Sequence, residues 1–378
     1  MRPASEVERR RLNETFAALC RIRSVSGEEA EIAAWVGDQL RAIGAAVDAP
    51  DAAGNLLARV GSPRDPDGPT VLLCAHLDTV GHDGVVEPIC VDGGWISAGE
   101  TILGADNKAA VAVMLEAARR VVIEGAPVGV ELLFTTGEET ALAGAKEFDR
   151  ERLGSTFGFV YDHASPIGEI VMASPTYYRI EASFHGAPAH AGIRPEDGRS
   201  AIVALARAIT SMPHGRIDSE TTANVGAIAG GTPGHTNVVA ERASLLAEAR
   251  SLDAAKAESL VAEIVDRIHD AANLPECSCD VDVVVEKQFD GYEHRQRATG
   301  VVVAEAALRA CGYEPTRIVS GGASDANALL GNGFPCTNLA NGTERNHQTD
   351  ERVSVAALES MLDVTYALLD ASAEPPGA

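Results

Sequence analysis

Five short clusters in this 378-residue chain hold the residue types that bind cations or move protons. They are His76 with Asp78, Asp106 in Gly104-Ala-Asp-Asn-Lys108, the adjacent pair Glu138-Glu139, Asp162 with His163, and His347 in Asn346-His-Gln-Thr-Asp-Glu351. Together they supply imidazoles and carboxylates, a donor set that suits zinc, or manganese or cobalt in the same cage. His76 and Asp78 are two apart, so both side chains can point to one side, with the acid orienting the ring. Two adjacent carboxylates such as Glu138 and Glu139 repel each other, and they are costly near a buried strand unless a cation or proton compensates.

Each cluster also has a plain structural alternative. His76 and Asp78 suit an ordinary turn, and Asp106 suits the N-cap of the helix that follows it. Glu138-Glu139 suits a solvated first helical turn. Asp162 with His163 suits a loop pair, either of which could ligate, and His347 suits an exposed loop. What favours chemistry is their common placement at expected strand ends. Nucleophile-elbow, dinucleotide and P-loop motifs are absent.

The elements that must position these residues alternate. A helical period runs over 4–23, and Ser26 with Glu29 resembles a capping box opening a helix from Ile32 to Ile43. Strands are expected at Asn55–Val60, Thr70–Ala75, Val128–Thr135 and Phe157–Tyr161, with a long helix at Ala109–Val122. The run Val71–Ala75 is apolar throughout, as in a strand buried on both faces. This is the pattern of an α/β sheet with helices on both sides, in which ligands bind at the carboxyl ends of the strands. From about 175 the pattern changes to strand 177–185, helix 198–211, strands 222–229 and 243–250, helix 253–273 and strand 280–288. That is a ferredoxin-like β-α-β-β-α-β order. Helix 295–311, strand 316–319 and a terminal helix 351–371 then resume the first pattern. The expectation is an α/β domain, 1–174 and 295–378, interrupted by an α+β domain at 175–294, with a frayed tail at 371–378.

Composition narrows the function further. Lys and Arg total 31 against 55 Asp and Glu, a net charge of -24, and aromatics are only 4 %. A surface this negative repels nucleic-acid backbones and anionic lipid, so neither is an expected partner. No apolar run approaches the roughly 18–20 residues that span a bilayer. The charged N-terminus has no signal-peptide apolar core, and seven scattered cysteines do not form a disulfide framework, so a cytoplasmic location is expected.

Six segments together resemble the M20 metallopeptidase family, in its peptidase T-like branch. They are Leu73–Val80, Leu103–Ala109, Phe134–Glu139, Ala189–Glu196, Glu248–Ser251 and Ser320–Asn327, and they extend over nearly the whole chain. The resemblance implies a zinc-peptidase-type mixed sheet carrying an inserted lid and dimerisation domain. It implies two zinc ions, one held by His76 and Asp162, the other by Glu139 and His347, with Asp106 bridging them. Asp78 would support His76, and Glu138 would be the general base. It also implies a cis Asp106–Asn107 peptide bond. His190 would stabilise the oxyanion in a partner subunit's site of a homodimer. Asn237, Arg250 and the backbone of Gly322 would contact substrate. The activity implied is hydrolysis of di- or tripeptides from the amino end, since relatives with Asp at the position of Asp162 are more commonly aminopeptidases or dipeptidases. Cleavage of N-acyl or N-carbamoyl amino acids, or metal binding without catalysis, are the other activities such a site would serve.

Overall fold

The structure is a computed structural model that describes residues 1–61 and 68–373. Most of the tail expected to fray, 374–378, lies outside the described residues. The chain divides into two compact units, Met1–Ala173 with His294–Ala378, and Ser174–Glu293.

The larger unit is built on a mixed sheet. Its strands run in the order Ala46–Val47, Leu56–Val60, Gly129–Thr135, Thr70–His76, Phe157–His163, Cys336–Ala340 and Glu169–Ser174. The four from Gly129–Thr135 to Cys336–Ala340 are mutually parallel, and their register decides where the site forms. His76 lies opposite Thr135, Cys74 opposite Val160, and Ala340 opposite His163. All four strands therefore end on one edge, and the loops leaving them meet there.

The central strands are apolar because both faces are covered; Val71 through Ala75 are wholly buried. The helix Ala105–Glu124 packs on the sheet with small side chains, Ala109, Ala110, Ala112, Ala117 and Ala118, that let its backbone approach closely. It begins four residues earlier than its apolar period indicates. Asp106 and Asn107 depart from helical geometry, and the bond between them is cis, as the resemblance implied.

One buried charge cluster fastens the helices together. Arg120, 2 % exposed, donates to both oxygens of Glu8 at 2.6 and 2.7 Å, and its guanidinium stacks 3.4 Å from the Tyr366 ring centre. It thereby joins helices Glu6–Arg21, Ala105–Glu124 and Val355–Ala371. The full hydrogen bonding of the pair is what makes its burial tolerable.

Two local expectations need correction. Ser26 and Glu29 do not form a capping box: the helix starts at Ala30 and has no side-chain cap. Ser26 Oγ instead donates to Asp78 Oδ2 at 2.7 Å, and Glu29 accepts the N–H groups of Gly27 and Gly137 at 2.9 and 3.0 Å. Hydrogen bonds to a carboxylate are about twice as strong as neutral ones, so tertiary partners displace the local motif. The terminal helix begins at Val355, capped by Ser354, and Arg352–Ser354 is a short strand paired with Gly94–Ile96.

The smaller unit is an antiparallel sheet in the order Gly215–Arg216, Thr221–Gly230, Arg242–Ser251, Thr176–His185 and Asp280–Phe289. Helices Ala201–Ser211 and Ala254–Ala272 cover one face and complete a separate core around Ile180, Phe184, Leu245 and Ile264. Setting aside the two-residue edge strand, this is the ferredoxin-like arrangement, with the first strand paired to the third and fourth.

Candidate metal centre

His76 ends its strand fully buried, and both ring nitrogens have defined surroundings. Nδ1 lies 3.0 Å from the backbone carbonyl of Asp78, an acceptor only, so Nδ1 carries the proton. Nε2 faces Asp106 Oδ1 at 3.3 Å and Asp162 Oδ1 at 3.7 Å. Burial works against a charged ring, but Asp162 and Asp106 outweigh it and hold the His76 pKa well above the usual histidine range. With Nδ1 committed to the carbonyl, Nε2 is the nitrogen that would take a metal in exchange for its proton.

Asp78 serves a different purpose. Its Oδ1 accepts the N–H of Glu138 at 3.0 Å, and its Oδ2 accepts the N–H of Glu139 at 3.1 Å and the Ser26 hydroxyl. Burial alone would raise its pKa, but His76, Ser26 and the Glu138 N–H outweigh burial and hold the carboxyl below its usual range. An ionised Asp78 thus anchors the turn that follows the strand Gly129–Thr135.

Asp106 sits between two imidazoles. Oδ1 faces His76, while Oδ2 lies 3.5 Å from His347 Nε2 and accepts the Asn346 amide at 2.7 Å. Asp106 does not cap its helix; the N-cap is Gly104. His347 Nε2 also lies 2.8 Å from Glu139 Oε1. His347 holds a left-handed backbone at φ 67°, a conformation that costs a non-glycine residue about 1–3 kcal/mol and that clusters at functional sites.

The electrostatics describe a site short of positive charge. Burial pushes the Asp162 carboxyl up to about 7, with Asp106 and Asp325 adding to the effect against His76. Burial, then Asp162, push Glu138 well above the carboxylate range. His347 is raised to about 10 by hydrogen bonds to Asp106 and Glu139. Among the described residues, three sets of donors lie within 4.8 Å of one another: His76, Asp106 and Asp162; His76, Glu138 and Glu139; and Asp106, Glu139 and His347. The first and third share Asp106, and its Oδ1 is buried with no hydrogen-bond donor. A buried anionic oxygen facing an imidazole nitrogen among further carboxylates is an environment a divalent cation would neutralise, so the donor set fits a dinuclear metal centre.

The pair Asp162 and His163 divides by geometry. Asp162 joins the cluster, while His163 Nδ1 lies 2.8 Å from Ser165 Oγ and belongs to none of the three sets. Gly322 lies in the loop before helix Asp325–Gly331, where its N–H donates to Ser320 Oγ at 3.0 Å. The remaining expected residues belong to the smaller unit. His190 forms a bridge with Val238, next to Asn237, and its Nδ1 accepts the Gly192 N–H. Arg250 donates to Glu248 and stacks 4.3 Å from the Tyr177 ring centre, leaving its buried Nε without a partner.

Sequence reading passed over several supports of the cluster. Asn338 brackets Asp162 with two bonds of 2.9 Å, one to its N–H and one to its carbonyl. Asp325 is buried and accepts the Thr135 hydroxyl at the end of the neighbouring strand. Glu351 accepts three backbone N–H groups around Asp106. All three lie within apolar or loop segments, where one polar residue carries no periodic signal.

Comparison with known proteins places the chain in a family. Residues 176–274 match the model of the peptidase dimerisation domain, and residues 55–163 match that of peptidase family M28. The crystal structure of aminopeptidase PepT from Bacillus cereus is 37 % identical, covering 97 % of this chain and 99 % of that one, with a TM-score of 0.85. This chain belongs to the peptidase T-like branch of the M20 metallopeptidases. A tripeptidase from Staphylococcus aureus is 34 % identical over 97 % of this chain and 98 % of its own, with a TM-score of 0.89. The Bacillus subtilis protein YqjE is 35 % identical over 97 % of this chain and all of its own length. In this M20 metallopeptidase the His, Asp and Glu cluster at the parallel strand ends is the candidate dinuclear centre, and the smaller unit carries the dimerisation domain. No helix among the described residues is long and apolar enough to cross a membrane.

Proposed function

We propose that the protein is a dinuclear zinc aminopeptidase that hydrolyses short peptides, tripeptides and dipeptides foremost. The observation that carries this reading is Asp106, whose two oxygens face two separate imidazoles, His76 and His347. The identities of 37 and 34 % to an aminopeptidase and a tripeptidase support the substrate class. In this reading His76 and Asp162 hold one ion, Glu139 and His347 hold the other, and Asp106 bridges. Bound divalent cations would supply Lewis acidity, lowering the pKa of water and polarising the scissile carbonyl.

The protein's own groups do the rest. Asp78 keeps the His76 ring in its ligating tautomer and holds the turn bearing Glu138. Glu138 accepts the proton of the attacking water and returns it to the departing amine, a role that burial favours by raising its proton affinity. We assign His190 to the oxyanion in a partner subunit's site, and Asn237, Arg250 and Gly322 to the substrate. The dimerisation-domain match supports a homodimer. All seven cysteines are free, which supports a reducing, cytoplasmic setting.

The test combines a metal count per chain with an assay of tripeptides, dipeptides and N-acyl or N-carbamoyl amino acids, in zinc, cobalt or manganese. Two ions per chain and fastest turnover of a free-amine tripeptide are expected. Preference for the acylated or carbamoylated amino acids would reassign the protein as an amidohydrolase. Stoichiometric metal without hydrolysis of any amide would remove the enzymatic reading.

A further inference from the structure

The helix Ala105–Glu124 starts with no side-chain cap of its own. Its N-cap, Gly104, is left-handed at φ 73°, and a Cβ there would press on Thr79 Cγ2 at 3.3 Å. The Asp106 N–H that a local cap would satisfy, and the N–H groups of Leu103 and Gly104 just before the helix, are taken by a residue distant in sequence. Glu351 Oε2 accepts Leu103 and Gly104 at 2.9 and 2.7 Å, and Oε1 accepts Asp106 at 2.9 Å. Glu351 is 2 % exposed. A neutral Ser or Asn cap avoids burying a carboxylate, so helix capping alone does not account for it.

The same loop reaches Asp106 a second time, through its side chain. Asn346 Nδ2 donates to Asp106 Oδ2 at 2.7 Å. The terminal torsion of an Asp is broad and two-fold, so nothing intrinsic aims its two oxygens. Here one must face His76 and the other His347.

We propose that Glu351 and Asn346 are positioning residues that act through Asp106, one fixing its backbone and the other its carboxylate, so that each oxygen is aimed at its own imidazole. The inference rests on the dinuclear reading above. It has a further structural consequence: His347 lies between Asn346 and Glu351, so one loop supplies a ligand and also holds the bridging acid. The two halves of the site are then registered by the loop rather than by the sheet alone.

The experiment is a cobalt titration of metal-free protein, followed by visible absorption and paired with melting curves of the same metal-free samples. Asn346→Ala, at a half-buried position, is expected to melt like wild type yet bind cobalt about 10–100-fold more weakly, the usual effect of losing a group that supports a ligand. Glu351→Gln is expected to weaken cobalt in the same direction and alter the absorption band. In an Asp106→Asn background, adding Asn346→Ala is expected to cost nothing more, because the effect travels through the Asp106 carboxylate. Unchanged cobalt affinity in Asn346→Ala, or an undiminished loss on top of Asp106→Asn, overturns the proposal. Should Glu351→Gln fail to fold, Asn346→Ala and the double variant still decide it. Wild type that takes up no cobalt brings down the dinuclear reading and this proposal with it. Wild type and variants that load equally well bring down this proposal alone.

Discussion

Asp78 Oδ1 accepts the backbone N–H of Glu138 at 3.0 Å, so the acid behind His76 also holds the residue assigned as general base. The same carboxylate lies 3.5 Å from His76 Nδ1, while the Asp78 backbone carbonyl accepts that N–H, so one residue supports both a ligand and the proton acceptor. Asp78→Ala is expected to lower metal affinity and kcat together, each by about 10–100-fold. Cobalt titration alongside steady-state kinetics checks this; a fall in KM alone would contradict it.

Glu138 and Glu139 are neighbours with different tasks. Glu138→Ala is expected to keep both metal ions and lose about 10²–10⁴ in kcat, the range for a general base. Glu139→Ala is expected to lose one ion of the pair, because its Oε1 faces His347. Metal analysis of the two purified variants separates them.

The metal-free protein is expected to lose stability as pH rises through 7. The Asp162 carboxyl is raised to about 7, Glu351 to about 7 and Asp325 to about 6, each primarily by burial. A raised carboxyl binds more protons folded than unfolded, so its contribution is full below the unfolded value near 4 and disappears as pH passes the folded value. His347, raised to about 10, shifts in the same direction from its ordinary 6.5 upward. Metal binding must displace the protons on its ligands Asp162 and His347, so affinity is expected to fall as pH drops below 7, by about tenfold per pH unit for each proton displaced. Melting curves from pH 5 to 8, with and without saturating zinc, test both statements. A metal-free melting temperature that climbs over this window would contradict the first.

Glu8 titrates in the opposite sense. Burial pushes its carboxyl up, but Arg120, Ser5 and Arg2 outweigh burial and hold it well below the usual range. Its contribution is present above its unfolded value near 4.5 and is lost as pH falls. Arg120→Met leaves Glu8 buried without its partner and is expected to cost about 3–5 kcal/mol. Urea denaturation of the metal-loaded protein at pH 7 measures it. Glu8→Gln is expected to flatten the acid limb of the stability profile below pH 4.5.

His190→Ala is expected to leave the metal count unchanged and reduce kcat by about 10²–10³, the effect of removing one oxyanion donor. Unchanged kcat in the purified variant would take His190 out of the reaction.

The chain's own order of residues determined a good deal. Apolar runs such as Val71–Ala75 announce strands covered on both faces, and the alternation over Tyr177–His185 marks a half-exposed sheet, because burial imposes its period directly on local sequence. The same reading locates His76, Asp106, Glu139, Asp162 and His347 at strand ends or in the loops after them. It does not separate Asp162 from His163, nor reveal Glu351, Asn346, Asn338 or Asp325. It also assigns Ser26 and Glu29 to a local cap, whereas they serve Asp78 and Gly137. Short strands such as Cys336–Ala340 and Glu169–Ser174 are too brief to show a period. What the tertiary structure alone decided is the register of four parallel strands. It sets His76 level with Thr135, and the loop through His347 beside Asp106. Partners up to 248 residues apart then meet within hydrogen-bonding distance. Sequence spacing cannot encode such encounters, since they depend on which strand lies next to which and on where each one ends.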